Sequence, residues 1–191
     1  MPAFYFDVGG VLIADNFVPD KALETFRQLS KPHGFDPAIA YATYTQVQPA
    51  LDLGTISLLD LCAQIGASQR QFEQDWLVMH PVDSTALRLI ERLLAAGHPV
   101  GLATNFCRTL LNRLIESAPI LSQLCVCCSS DIGLVKPSRE FFQHACEILP
   151  AEEIVFVDDR EINVQAARAF GWTAIHATEG WLSEFETAYT Q

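Results

Sequence analysis

The chain is 191 residues long, half of them hydrophobic, with a formal net charge of −11. That length suits one medium domain with room for a small insertion, and no stretch reaches the roughly 20 apolar residues that a membrane-spanning helix needs. Twelve scattered basic residues against 23 acidic ones argue against nucleic acid or an anionic membrane surface as partner, but not against a small phosphate held by a local cation.

In chain order, the opening Met-Pro-Ala-Phe-Tyr-Phe-Asp has no basic region ahead of an apolar core. It reads as a first β-strand over residues 3–6 rather than a secretory signal, and a cytoplasmic protein is expected. Residues 16–82 contain no convincing strand. Helical patterns at 20–29, 36–46, 57–65 and 69–76 are punctuated there by Pro19, Pro32, Pro37, Pro49, Pro81 and Gly54. Beyond them, strands at 99–103, 124–128, 154–157 and 173–175 alternate with helices at 85–96, 108–117, 139–149 and 163–170, the pattern of a parallel sheet covered on both faces. Gly97 and Gly171 fall where left-handed helix caps are wanted, and Ser138 where a helix begins. The expected fold is α/β: a doubly wound, five-stranded parallel sheet formed by residues 1–15 and 83–191, with 16–82 as a helical cap inserted after the first strand.

The six cysteines, Cys62, Cys107, Cys125, Cys127, Cys128 and Cys146, lack paired C-x-x-C spacing. Three lie in an apolar strand, which suits buried structural thiols in a reducing compartment. His33, His80, His98, His144 and His176 show no metalloprotease spacing, and there is neither a Walker A sequence nor a dinucleotide loop nor a G-x-S-x-G elbow. Trp76, Trp172 and Trp181 read as core or cap packing.

Four segments lie at or just beyond strand ends, the edge of an open α/β sheet where ligands bind: Asp7-Val8-Gly9-Gly10-Val11-Leu12, Thr104-Asn105, Lys136-Pro137, and Asp158-Asp159-Arg160-Glu161-Ile162-Asn163. Taken singly, each has an ordinary explanation as a turn, a helix cap or a surface charge. Together and in this order they resemble the four motifs of the haloacid dehalogenase superfamily. The combination looks closest to the phosphatase domains of soluble epoxide hydrolases and to small sugar-phosphate phosphatases. A phosphoryl group needs an in-line nucleophile and neutralised equatorial oxygens. Asp7 offers the nucleophile, forming an aspartyl-phosphate. Mg²⁺ is the natural cation for an oxygen shell, with Asp7 and Asp159 as side-chain ligands, the Gly9 carbonyl beside them and Asp158 in support. Lys136 neutralises Asp7 and the transferring group, the Thr104 hydroxyl holds phosphate oxygens, and Asn105 bonds the substrate or orders the loop.

One position departs from the resemblance. Most phosphatases of this kind carry an aspartate two residues after the nucleophile as general acid and base, and here that residue is Gly9. Positioned acid–base catalysis contributes roughly 10²–10⁴-fold, generally less than the electrostatic share, so a slow enzyme favouring good leaving groups is expected. Asp15 is the nearest carboxylate that would substitute. The expected partner is a small phosphorylated metabolite, and the expected state a monomer or homodimer. A non-catalytic phosphate-binding module is the second reading. A true dehalogenase ranks third, because adjacent Asp158 and Asp159 make sense chiefly beside a cation.

Overall fold

The computed structural model describes residues 1–14 and 19–189; Asp15 lies outside them. Continuous apolar runs make strands buried on both faces. β1 (Ala3–Phe6), β2 (Val100–Thr104) and β4 (Ile154–Asp158) are buried at every residue. With β3 (Cys125–Cys128) and β5 (Thr173–His176) they form one parallel sheet in the order β3-β2-β1-β4-β5. β1 is thus central, with Phe4 opposite both Val100 and Val155. The chain leaves β1 towards β2 and returns to its other side at β4, so the reversal of strand order opens a crevice at the carboxyl end of β1.

Alternation along β1 feeds two separate cores. Phe4 and Phe6 pack with Phe26, Leu89, Ile90 and Phe185 on one face, while Tyr5 packs with Phe141, Phe142, Phe156 and Trp172 on the other. Each large side chain so buried contributes roughly 1.5–3 kcal/mol. The Tyr5 hydroxyl satisfies itself by donating to the Ala145 carbonyl at 2.8 Å. Its ring takes the space where a Cβ on Gly101 would sit, 2.5 Å away.

The helices follow the expected pattern with two kinds of difference. α1 (Pro19–His33), α2 (Pro37–Asp52), α3 (Leu58–Ile65) and α4 (Gln69–Met79) form the layer between β1 and β2. α5 (Ser84–Ala95) and α6 (Arg108–Ser117) follow, then a four-residue α7 (Ser129–Ile132), α8 (Arg139–Ile148), α9 (Glu161–Phe170) and α10 (Trp181–Tyr189). Ser138 caps α8 through Phe141 N, and Gly171 closes α9 in the left-handed region. α2 runs on through Pro49, which local sequence rules would take as its end, because Leu51 is buried in the main core and packing outweighs local preference. α7, α10 and a 3₁₀ turn over Pro119–Gln123 carry no long periodic pattern. α10 instead docks Phe185 beside Phe4 and Phe6, with centroids at 5.3 and 5.7 Å. All three tryptophans are buried, the six cysteines are free thiols, and no helix among the described residues is long and apolar enough to cross a membrane.

One close approach ties the helical layer to the sheet. Gly54, just after α2, has φ +69°, and a Cβ there would collide with the Ser130 carbonyl of α7. Gly54→Ala is therefore expected to cost about 2 kcal/mol or more from left-handed strain and backbone collision. That lowers the melting temperature by roughly 4–8 °C, measurable by calorimetry; a change below about 1 °C would show that the two segments part without cost.

Candidate functional site

Three strand ends bring three candidate side chains to the crevice. Asp7 follows β1, Thr104 ends β2 and Asp158 ends β4, and all three are buried. Between them lies Lys136, from the loop joining α7 and α8, only 3% exposed. Its Nζ donates to the Ala103 carbonyl at 2.8 Å and to Asp158 Oδ2 at 2.5 Å, and stands 3.0 Å from Asp7 Oδ2.

Each partner is itself held. Asn105 accepts from Lys136 N at 2.8 Å and donates to the Lys136 carbonyl at 2.9 Å, so its amide fixes the lysine's backbone. Asp158 accepts from Arg160 N at 2.8 Å and from Asn163 Nδ2 at 3.0 and 3.1 Å. Asp7 Oδ1 accepts from Val8 N at 2.7 Å. The Thr104 hydroxyl lies beside Asp7, whose charge it helps stabilise, yet it is buried without a hydrogen bond of normal geometry to any described residue.

The electrostatics follow from burial opposed by pairing. Burial pushes Asp7 up to about 7, against the pull of Lys136. Burial also works against charge on Asp158, but Lys136 and the hydrogen bonds overcome it and hold this carboxyl below the usual range. Burial would lower Lys136, but Asp7 and Asp158 more than compensate and keep it protonated.

Asp159 completes the cluster. Oxygens of Asp7, Asp158 and Asp159 lie within 4.8 Å of one another. Three carboxylates against one ammonium leave two negative charges when all are ionised, the complement of a divalent cation. The carboxylates differ in role. Asp158 is occupied by Lys136, Arg160 N and Asn163, whereas Asp159 lines the open crevice with Asp7 and Gly9. Gly10, at φ +69°, makes room for Asp159, whose carboxylate occupies the place of a Cβ. His176 Nε2 donates to the Asp159 carbonyl at 2.8 Å, and its Nδ1 lies 2.8 Å from a Glu161 carboxylate oxygen, steadying the same loop. Gly9 has no atom within 4 Å of where a Cβ would lie, so neither crowding nor backbone strain explains the lack of a side chain there.

The crevice widens into a cavity of about 530 Å³ between sheet and helical layer. The helical layer lines it mostly with apolar rings (Phe26, Tyr41, Tyr44, Phe72 and Trp76), with Thr45, Gln48 and Asp52 of α2 as polar exceptions, and Arg160 borders it from the sheet side. The structure thus gathers every residue singled out from the sequence: Asp7, Gly9, Asn105, Lys136 and Asp159 line this cavity, and Thr104 and Asp158 lie buried behind it. Asp52, Gln48 and Arg160 were missed. No spacing rule marks a carboxylate at a helix end as facing a site on another layer.

A family model described as haloacid dehalogenase-like hydrolase matches residues 1–171. Among solved structures, the HAD family enzyme BT-2542 from Bacteroides thetaiotaomicron aligns with a TM-score of 0.74 at 20% identity, over 97% of this chain and 98% of that one. It is also solved in complex with magnesium and inorganic phosphate. A predicted HAD-like family hydrolase from Porphyromonas gingivalis aligns at 0.74 and 19% identity, over 100% and 98% of the two chains. A HAD phosphatase from Thermococcus onnurineus gives 0.71 and 17%, over 98% and 97%. At such identities the likeness is one of fold. A search of curated proteins found no match.

Removing the shared cation from two buried carboxylates is strongly destabilising, by about 3–5 kcal/mol for a buried pair. Lys136→Met should accordingly lower the melting temperature by roughly 6–20 °C in metal-free buffer. A loss below about 2 °C would mean that Asp7 and Asp158 do not depend on the ammonium.

Proposed function

Because the chain belongs to the haloacid dehalogenase-like hydrolase family, we propose that it hydrolyses small phosphomonoesters through an aspartyl-phosphate on Asp7, with Mg²⁺ as cofactor. The observation that carries this reading is the convergence of three carboxylates, two of them paired with one ammonium, at the end of the central strand. A carboxylate cluster of that charge suits a divalent cation bound through oxygen. Asp7, Asp159 and the Gly9 carbonyl would hold Mg²⁺, with Asp158 behind them fixing Lys136. When bound, the ion neutralises phosphate oxygens and draws Asp7 into its ionised form.

The chain's own groups then account for the transfer. Asp7, held by Val8 N and Lys136, presents a carboxylate oxygen in line with the ester bond. Lys136 balances the charge shared between nucleophile and phosphoryl group. Thr104, whose hydroxyl lies beside Asp7, donates to an equatorial oxygen, helped by backbone N–H groups after β2. Asn105 keeps Lys136 in place and borders the same space. These donors are buried and fixed before substrate arrives, the condition under which electrostatic stabilisation is largest. The charge balance favours this over the dehalogenase reading, in which the excess negative charge would have no counter-ion.

Purified protein is expected to hydrolyse para-nitrophenyl phosphate only with Mg²⁺, and Asp7→Asn to reduce the rate at least about 10³-fold, as loss of a nucleophile does. Wild-type protein that binds Mg²⁺ and phosphate, seen as a melting shift, without turnover would favour a binding module instead.

A further inference from the structure

Gly9 leaves the proposed reaction without its usual proton carrier, and the cavity contains one carboxylate that no part of the mechanism above uses. Asp52 closes α2 and lines the cavity shared by Asp7, Gly9 and Lys136. It is half-buried, and its Oδ2 accepts from Gln48 Nε2 at 3.0 Å. Among the described residues no other hydrogen bond reaches this carboxylate. Its neighbours of opposite charge are Lys136 and Arg160, both close enough to act on it. The end of α2 is also held from outside the helical layer, since Gly54 two residues on packs directly against Ser130 of α7. Asp52 thus stands at the end of a helix and borders the same cavity as the nucleophile.

We infer that Asp52 is the general acid and base of this site, supplying from the helical layer the proton that Gly9 cannot supply from the nucleophile loop. The inference rests on the phosphatase reading. In the first step Asp7 forms a bond to phosphorus as the ester P–O bond breaks, and the Asp52 carboxyl proton passes to the departing oxygen, releasing an alcohol. In the second, Asp52 as carboxylate takes a proton from the water that attacks phosphorus. The bond to Asp7 then breaks, inorganic phosphate leaves, and both carboxyl groups return to their starting states. Burial suits the group to this double duty: it pushes Asp52 up to about 6, against Gln48, Arg160 and Lys136, close to where a group both gives and takes protons near neutrality.

The test compares leaving groups. With Mg²⁺ present, kcat/KM is measured for glycerol 2-phosphate, whose alkoxide must be protonated, and for para-nitrophenyl phosphate, whose phenolate leaves readily. Asp52→Asn keeps the shape and the Gln48 contact but cannot transfer the proton. It is expected to lose about 100-fold or more on the alkyl ester and less than about tenfold on the aryl ester, the difference reflecting the usual worth of a positioned acid. Equal losses on both esters, or none on either, would overturn the assignment while leaving the phosphatase reading intact. Absence of Asp7-dependent turnover of either ester by the wild type would overturn both.

Discussion

The structure depends on one buried ammonium. Lys136 sits almost without solvent between two carboxylates and a backbone carbonyl, and a lone charge in such a place would cost many kcal/mol. Its presence dictates the surroundings. Asp7 and Asp158 must both be near enough to repay the desolvation, so β1 and β4 must be neighbours with their ends in register, and Val157 does pair with Phe6. Ala103 must offer its carbonyl, which brings in β2. The lysine's own backbone must be held, which Asn105 does from the far side of β2. Asn163, in the first turn of α9, then anchors Asp158. The arrangement leaves excess negative charge at the crevice, so the same constraint that orders the sheet end prepares it for a cation.

Apolar packing makes this polar arrangement affordable. The three central strands are buried on both faces, and two aromatic-rich cores clamp β1 from either side. A backbone so confined has little freedom to relax, and the strand-end carboxylates inherit that rigidity. Precise placement before the substrate arrives is what makes fixed charges effective in a catalytic site.

The helical layer has a different task. Its inner wall is largely aromatic and aliphatic, while the sheet edge carries the ion pairs and the Thr104 hydroxyl. Division of the cavity into a charged floor and an apolar roof follows from where each layer gets its stability. The roof helices pack on one another and on the sheet chiefly through apolar side chains, and polar groups reach the cavity at a helix end, the carboxyl terminus of α2. Asp52 and Gln48 stand at such an end. Left-handed Gly54 lets the chain turn there with its backbone pressed on α7, which turns a helix terminus into a fixed feature of the site.

Much of this was legible in the sequence. Apolar runs alternating with amphipathic segments determined the strands, the main helices and the doubly wound class, since burial on both faces requires such patterning wherever the chain goes. Asp7, Thr104, Asn105, Asp158 and Asp159 were legible because strand ends in an α/β sheet are forced to one edge, so positions along the sequence translate directly into a shared crevice; Lys136, in the loop before α8, was legible only from its order among those segments. Local rules failed where contacts between distant segments decide. Pro49 suggested an end to α2, yet burial of Leu51 carries the helix to Asp52; α7 and α10 are too short or too irregular to announce themselves, and form because the sheet offers them an apolar face. Which of the adjacent aspartates holds Lys136 and which faces the crevice was likewise set by the turn at Gly10 and by Asn163, not by order in the chain. Asp52 reached the cavity only through the folding of one layer onto another, and no pattern within α2 encodes what lies across the gap.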